Sequence, residues 1–140
     1  MSMQTGALHS PATADASTLL RRALWVDGVS TAASGVLLLA AGGPLEDLLG
    51  LPVSWSVPIG VALLGWALAV VLVVDHPDII PRHVVFVIGG NVLSAAGLVT
   101  LAFAGPVPLT GSGVVFMLLM AVVVAVYAEL QFMGLRRSAS

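Results

Sequence analysis

Four apolar runs, each close to the roughly 20 residues that a helix needs to cross a hydrocarbon core, constrain this chain more than anything else in it. They extend approximately from Ala23 to Gly42, Trp55 to Val74, Val84 to Gly105 and Val114 to Met133. The breaks between them read "GGPLEDLLGLP", "DHPDIIPRH" and "GPVPLTGSG", short segments of turn-forming composition. Composition agrees with the runs. Charged residues make up 9% of the chain and hydrophobic ones 59%, whereas soluble domains carry roughly a quarter charged residues. Too little polar surface is left to clothe a water-exposed core. The expected class is all-α: a polytopic membrane protein whose four transmembrane helices form an antiparallel up-down bundle.

Arginine placement orients the bundle, because short cytoplasmic flanks collect Lys and Arg and exported short loops do not. Arg21 and Arg22 precede the first run, Arg82 lies between the second and third, and Arg136 and Arg137 follow the fourth. The other two breaks hold no basic residue. Both termini are therefore expected in the cytoplasm, with the protein in the cytoplasmic membrane. The first run exceeds the 7 to 15 residues of a signal-peptide core, so it is read as a retained span. Residues 1–18, rich in Ala, Ser and Thr, are expected as a disordered cytoplasmic tail. Residues 19–135 form the transmembrane domain and 136–140 a second short tail.

In the first break, Leu45, Leu48 and Leu49 fall at i, i+3 and i+4 beside Glu46 and Asp47, which suits a short helix at the membrane interface. "SGVLLLAAGGP" and "AGLVTLAFAGP" echo each other at the exits of the first and third spans. Duplication of a helical hairpin and a shared compositional bias both account for the echo.

Lipid tails are as apolar as leucine, so helices in a bilayer associate through close packing of small residues and through polar contacts. The expected packing positions are Gly28, Ser34 and Gly35 on the first span, Gly90, Ser94 and Gly97 on the third, and Ala121 and Ala125 on the fourth. A homo-oligomer or a larger membrane complex would use such faces.

Ionisable groups inside a span are costly and are functional candidates by default. Asp27 lies about one turn inside the cytoplasmic edge of the first span, Asn91 about two turns into the third, and Glu129 and Gln131 near the same edge of the fourth. Asp27 has two readings. As a structural group it sits where the helix macrodipole favours an anion and where Arg21, Arg22, Arg82 or His83 can neutralise it. As a functional group it shares a cytoplasm-facing cavity with Asn91, Glu129 and the loop histidines, the condition for proton-coupled exchange of a cation. Asn91 comes level with Ser30 and Thr31, so a hydrogen bond there is expected. Glu129 sits near a helix C-terminus that repels it and calls for a cation such as Arg136 or Arg82.

Other chemistries find little support. The chain has no cysteine, which excludes thiolate sites and cysteine nucleophiles. Asp75, His76, Asp78 and His83 match no metal template and suit a proline-bearing turn. No nucleophile elbow, phosphate loop or HExxH pattern occurs. Neither a metal nor another cofactor is expected. A net charge of −2 gives no reason to expect a nucleic-acid partner.

"VDGVSTAASG", "LLGLP", "RHVVFVIGGNVLSAAG" and the stretch from "LTGSG" to "VYAELQFMGLRR" together resemble an uncharacterised family of small four-helix integral membrane proteins of actinobacteria and related bacteria. The resemblance covers about Leu20 to Arg137. It rests on Asp27, Leu49 to Pro52, Asn91, Leu109, Thr110, Gly113, Leu130 and Gln131. The chain departs from it at Val92, where that family commonly has tryptophan, at Met120, where it has glutamine, and at Glu129, where it has alanine. The resemblance implies the four-helix architecture and draws attention to Asp27 and Asn91; it implies no activity. The expected function is that of a small non-enzymatic accessory or scaffolding component of the membrane. The alternative is a small proton-coupled transporter using Asp27 and Glu129.

Overall fold

Proline and glycine punctuate the chain, and the helices follow their marks. The computed structural model of the protein describes residues 11–139, with side chains over 17–138. Helix α1 is Pro11–Ala40, α2 Gly42–Leu49, α3 Val53–Asp75, α4 Pro81–Ala104 and α5 Gly111–Ala139. Pro52 precedes α3 and Pro81 opens α4, where a missing N–H costs nothing. Gly50 and Gly105 end α2 and α4 in the left-handed conformation, with φ of 75° and 74°.

Four of these helices are long and apolar enough to cross a membrane: Ser17–Ala40 within α1, then α3, α4 and Gly111–Ser138 within α5. Their outward faces carry large apolar side chains, with Leu68, Phe86, Leu93 and Phe103 all more than 60% exposed. That distribution suits contact with lipid, and the chain has the make-up of a multi-pass membrane protein.

Two of the expected boundaries move. Of the tail expected over 1–18, residues 1–10 lie outside the described residues, and 11–18 form the first turns of α1. An alanine-containing run behind a proline at the first helical position favours that extension. Likewise 136–139 continue α5, with Arg136 and Arg137 in its last turn, where cations face the negative end of the macrodipole. The short interfacial helix expected from Leu45, Leu48 and Leu49 is α2. Leu49 is buried and Leu45 packs on the core, while Leu48 points outward at 60% exposure.

Glycines at a seven-residue interval bring α1 against α3. A Cβ on Gly28 would meet Val70 and Val71, one on Gly35 would stand 2.9 Å from the Gly60 carbonyl, and one on Gly42 would meet Ser56 and Val53. This is close backbone approach of the kind that bilayer helices use. Helix α5 closes on the other side of α1, where Gly134 lies against Leu20 and Tyr127 against Ser30. It also packs along α4. Helices α3 and α4 touch only sparingly. Their gap is filled by Trp66, whose ring rests on Gly90 and lies 5.4 Å from Phe86.

Two apolar layers result. One contains Leu20, Leu24, Val70, Val74, Val84 and Val87. The other holds Leu38, Leu49, Leu51 and Met117. Beside the second layer, two loops far apart in sequence lock together. Thr110 donates its backbone N–H to the Leu49 carbonyl (2.9 Å) and its hydroxyl to that of Leu48 (2.8 Å), satisfying carbonyls at the end of α2. The Thr110 hydroxyl also accepts the Gly113 N–H at 3.0 Å, capping α5. Glu46 accepts the Val53 N–H at 2.9 Å and so serves the start of α3.

Gly113 lies so close that an added Cβ would stand 2.0 Å from the Leu49 oxygen, whereas one on Gly97 would meet open space. Gly113→Ala is therefore expected to destabilise the protein by about 1–3 kcal/mol, the usual cost of overpacking a rigid site. Gly97→Ala should leave stability unchanged or raise it by up to ~1 kcal/mol. Thermal unfolding of both variants in the same detergent checks this contrast.

Candidate functional site: a buried ring of Asp27, Asn91 and Gln131

Between the two apolar layers the chain places polar groups from three helices. Asp27 on α1 is 1% exposed, Asn91 on α4 is 3% and Gln131 on α5 is 0%. An ionised carboxylate only accepts hydrogen bonds, so the two amides must turn their nitrogens toward it. Asn91 Nδ2 donates to Asp27 Oδ2 at 2.7 Å and to Gln131 Oε1 at 3.0 Å. Gln131 Nε2 donates to the same Oδ2 at 2.7 Å. The three side chains thus close a ring, each bonded to the other two. Thr31 completes the set by donating its hydroxyl to Asp27 Oδ1 at 3.2 Å.

Helical spacing explains why these residues meet. Thr31 stands four positions after Asp27 and so lies on the same face. A second hydroxyl chain lies beside the ring. Ser30 Oγ bonds to the Asp27 carbonyl (3.1 Å) and to the Tyr127 hydroxyl (3.0 Å), and Ser34 Oγ donates to the Ser30 carbonyl (2.8 Å). Asn91 was expected level with Ser30 and Thr31; it sits one turn nearer the arginine-bearing edge, on Asp27. The carboxylate, having no donor of its own, is the stronger attractor for the amide N–H.

The remaining candidates lie elsewhere. Glu129, Arg82 and His83 are exposed and outside the ring. Glu129 has no hydrogen-bond or ion-pair partner among the described residues. Arg136 is held over the Phe132 ring at 5.6 Å. Arg21, one of the cations suggested for Asp27, serves α3 instead: it donates to the carbonyls of Val74 and Pro77, the latter at 2.9 Å. The end of α3 offers acceptors at hand, and Asp27 already has three donors. His76 Nδ1 bonds within its own turn to the Asp78 carbonyl, at 2.8 Å. No group of three or more His, Cys, Asp or Glu among the described residues is placed to hold a metal ion.

The packing positions divide in the same way. Gly28, Gly35, Gly90 and Ala121 lie at helix contacts, and Ser34 turns its hydroxyl back onto its own helix. Ser94, Gly97 and Ala125 are on exposed surface. Gly60, Trp66, Tyr127 and Gly134 also take part, and the sequence reading named none of them. The i, i+7 repeat of Gly28, Gly35 and Gly42 was the signal that a facing small residue should exist on α3.

Chemically the ring is closed upon itself. It has a carboxylate whose two oxygens are engaged by two amides and the Thr31 hydroxyl. What it does well is join α1, α4 and α5 at one depth. No family model, curated protein or solved structure matches the chain.

Removing the carboxylate without adding bulk should leave both amides short of an acceptor. Asp27→Ala is expected to lower stability by about 1–3 kcal/mol, the cost of orphaned buried donors. A double-mutant cycle on Asn91→Ala and Gln131→Ala, read by unfolding in detergent, should return a coupling of about 0.6–1.7 kcal/mol.

Proposed function

We propose that the protein is a non-enzymatic accessory or scaffolding component of the cytoplasmic membrane, a four-span antiparallel bundle with both termini inside. In it, the Asp27 ring fixes the arrangement of three helices. The observation that carries this reading is the enclosure of Asp27, which is 1% exposed with three donors on its two oxygens. A carboxylate that exchanges protons with a substrate needs a path and a second group to share its charge with. Glu129, the partner a transport reading requires, is exposed and does not join Asp27.

The contact series supports the topology. Residues 28 and 35 of α1, and 42 at the start of α2, meet 70, 60 and 56 of α3, and residues 20, 27 and 30 meet 134, 131 and 127 of α5. Rising numbers on one helix against falling numbers on the next are what antiparallel neighbours give. All five arginines then come to one edge, the side on which basic residues are retained. Single cysteines in this cysteine-free chain test the orientation: in intact cells Gly43→Cys should react with a membrane-impermeant maleimide, and Ser138→Cys only after permeabilisation.

The functional reading is tested in proteoliposomes. Wild type and Asp27→Asn should show the same proton permeability under a pH gradient, while a native-membrane preparation carries the protein in a larger complex. Substrate-dependent proton flux in the wild type, abolished by Asp27→Asn in a folded protein, would establish the transporter instead.

A further inference from the structure

Glu129 and Asp27 lie at nearly the same depth and receive opposite treatment. Gln131 bonds Asp27, and Glu129 stands two residues further from the arginine edge, about 3 Å by helical rise. Inside the bundle, a carboxylate at this level is given three donors. Outside, on the lipid-facing surface, Glu129 is exposed with no partner among the described residues. Seven residues, about 10 Å, separate it from Arg136. Inside a span an unpartnered carboxylate is disfavoured, less so toward the edge, unless a donor reaches it.

An open groove ends about one helical turn short of this carboxylate. Between the outer faces of α4 and α5 lies an open hollow of about 530 Å³ walled by Ala95, Ala96, Val99, Leu118, Ala121, Val122 and Ala125. Its α5 wall follows the helical stripe Val122, Ala125, Glu129, Phe132. On the α4 side the stripe continues past Ala96 through Val92 and Leu93, exposed apolar side chains at the level of Glu129. Alanine walls admit a ridge of side chains from another helix, the usual way helices interlock. The groove supplies the close approach, and Glu129, one turn beyond Ala125 on the same stripe, supplies an unpartnered carboxylate for a helix lying along it.

We propose that the α4–α5 groove is the docking site for a transmembrane helix of another protein, one that carries a basic side chain at the depth of Glu129. Charge complementarity selects this occupant. Lipid headgroups lie at the membrane edge, a turn or two away from Glu129. The chain itself has no lysine, and its five arginines all flank the spans, so a second copy brings no cation to this level. A two-fold contact centred on the stripe would instead set two Glu129 side chains at equal depth near one another, where like charges repel. This surface rests on the accessory reading and names the kind of partner that reading requires.

The test uses the full-length protein, labelled and reconstituted in phosphatidylcholine vesicles, with two synthetic leucine–alanine transmembrane peptides. One carries a single lysine about 10 Å inside its basic end, the level set by helical rise; the other has leucine there. Energy transfer should show the lysine peptide binding roughly tenfold more tightly, the ratio that ~1.4 kcal/mol gives. Glu129→Leu, a lipid-facing change that leaves the core intact, should erase the preference. Ala125→Phe, which fills the groove, should weaken both peptides. Equal binding of the two peptides, or a preference that survives Glu129→Leu, would overturn the proposal. Glu129-dependent energy transfer between two labelled copies without peptide would assign the face to self-association and overturn it too. None of these outcomes bears on proton flux or on Asp27, so the accessory reading stands or falls separately.

Discussion

A carboxylate held at membrane depth by three donors is the constraint on which this bundle turns. In a bilayer the hydrophobic effect does not draw helices together, because lipid solvates leucine as well as protein does. Specificity then comes from groups that lipid cannot satisfy. Asp27 requires donors, and they come from its own helix through Thr31, from α4 through Asn91 and from α5 through Gln131. Rotating any of these helices by a few tens of degrees would withdraw a donor into hydrocarbon. The ring therefore sets rotation and depth for three helices at once, which close packing alone does loosely.

Helix α3 is positioned by other means. It meets α1 along Gly28 and Gly35, where backbone lies on backbone at Gly60, and meets Gly42 at the start of α2. Arg21 clasps its last carbonyls, and Glu46 serves its first N–H group. Toward α4 it relies on Trp66 seated on Gly90. The protein thus uses two physical devices: polar closure for α1, α4 and α5, and steric closeness with capped ends for α3. Both work without a large buried apolar volume, as a chain of this size in lipid must.

Much of the architecture was legible because the bilayer restricts the alphabet. Runs of roughly 20 apolar residues can be little else, and α2 was visible in the spacing of Leu45, Leu48 and Leu49. The members of the ring were legible as candidates, since Asp27, Asn91 and Gln131 stand out against valine and leucine. Their mutual bonding was not, because depth along a helix can be counted from its ends but rotation about its axis cannot. Hence Glu129 was grouped with residues on the opposite face of α5, while Asn91, expected level with Ser30 and Thr31, lies a turn off in depth because span ends are legible only to within a few residues. Trp66 illustrates a different limit: an aromatic in a hydrophobic run gives no sign that a glycine on another helix receives it. Helix ends were misjudged at 11–18 and 136–139, where polar composition hides continued helix.

The Asp27 ring is closed and shielded from water. Hydrogen exchange at the side-chain amides of Asn91 and Gln131, followed by NMR of the protein in lipid nanodiscs, measures this most directly. Enclosure predicts that both side-chain amides exchange far more slowly than those of free asparagine and glutamine and show through-space contact with α1 at Asp27. Exchange at the rate of the free side chains, with no such contact, would contradict it and return Asp27 to a water-accessible site.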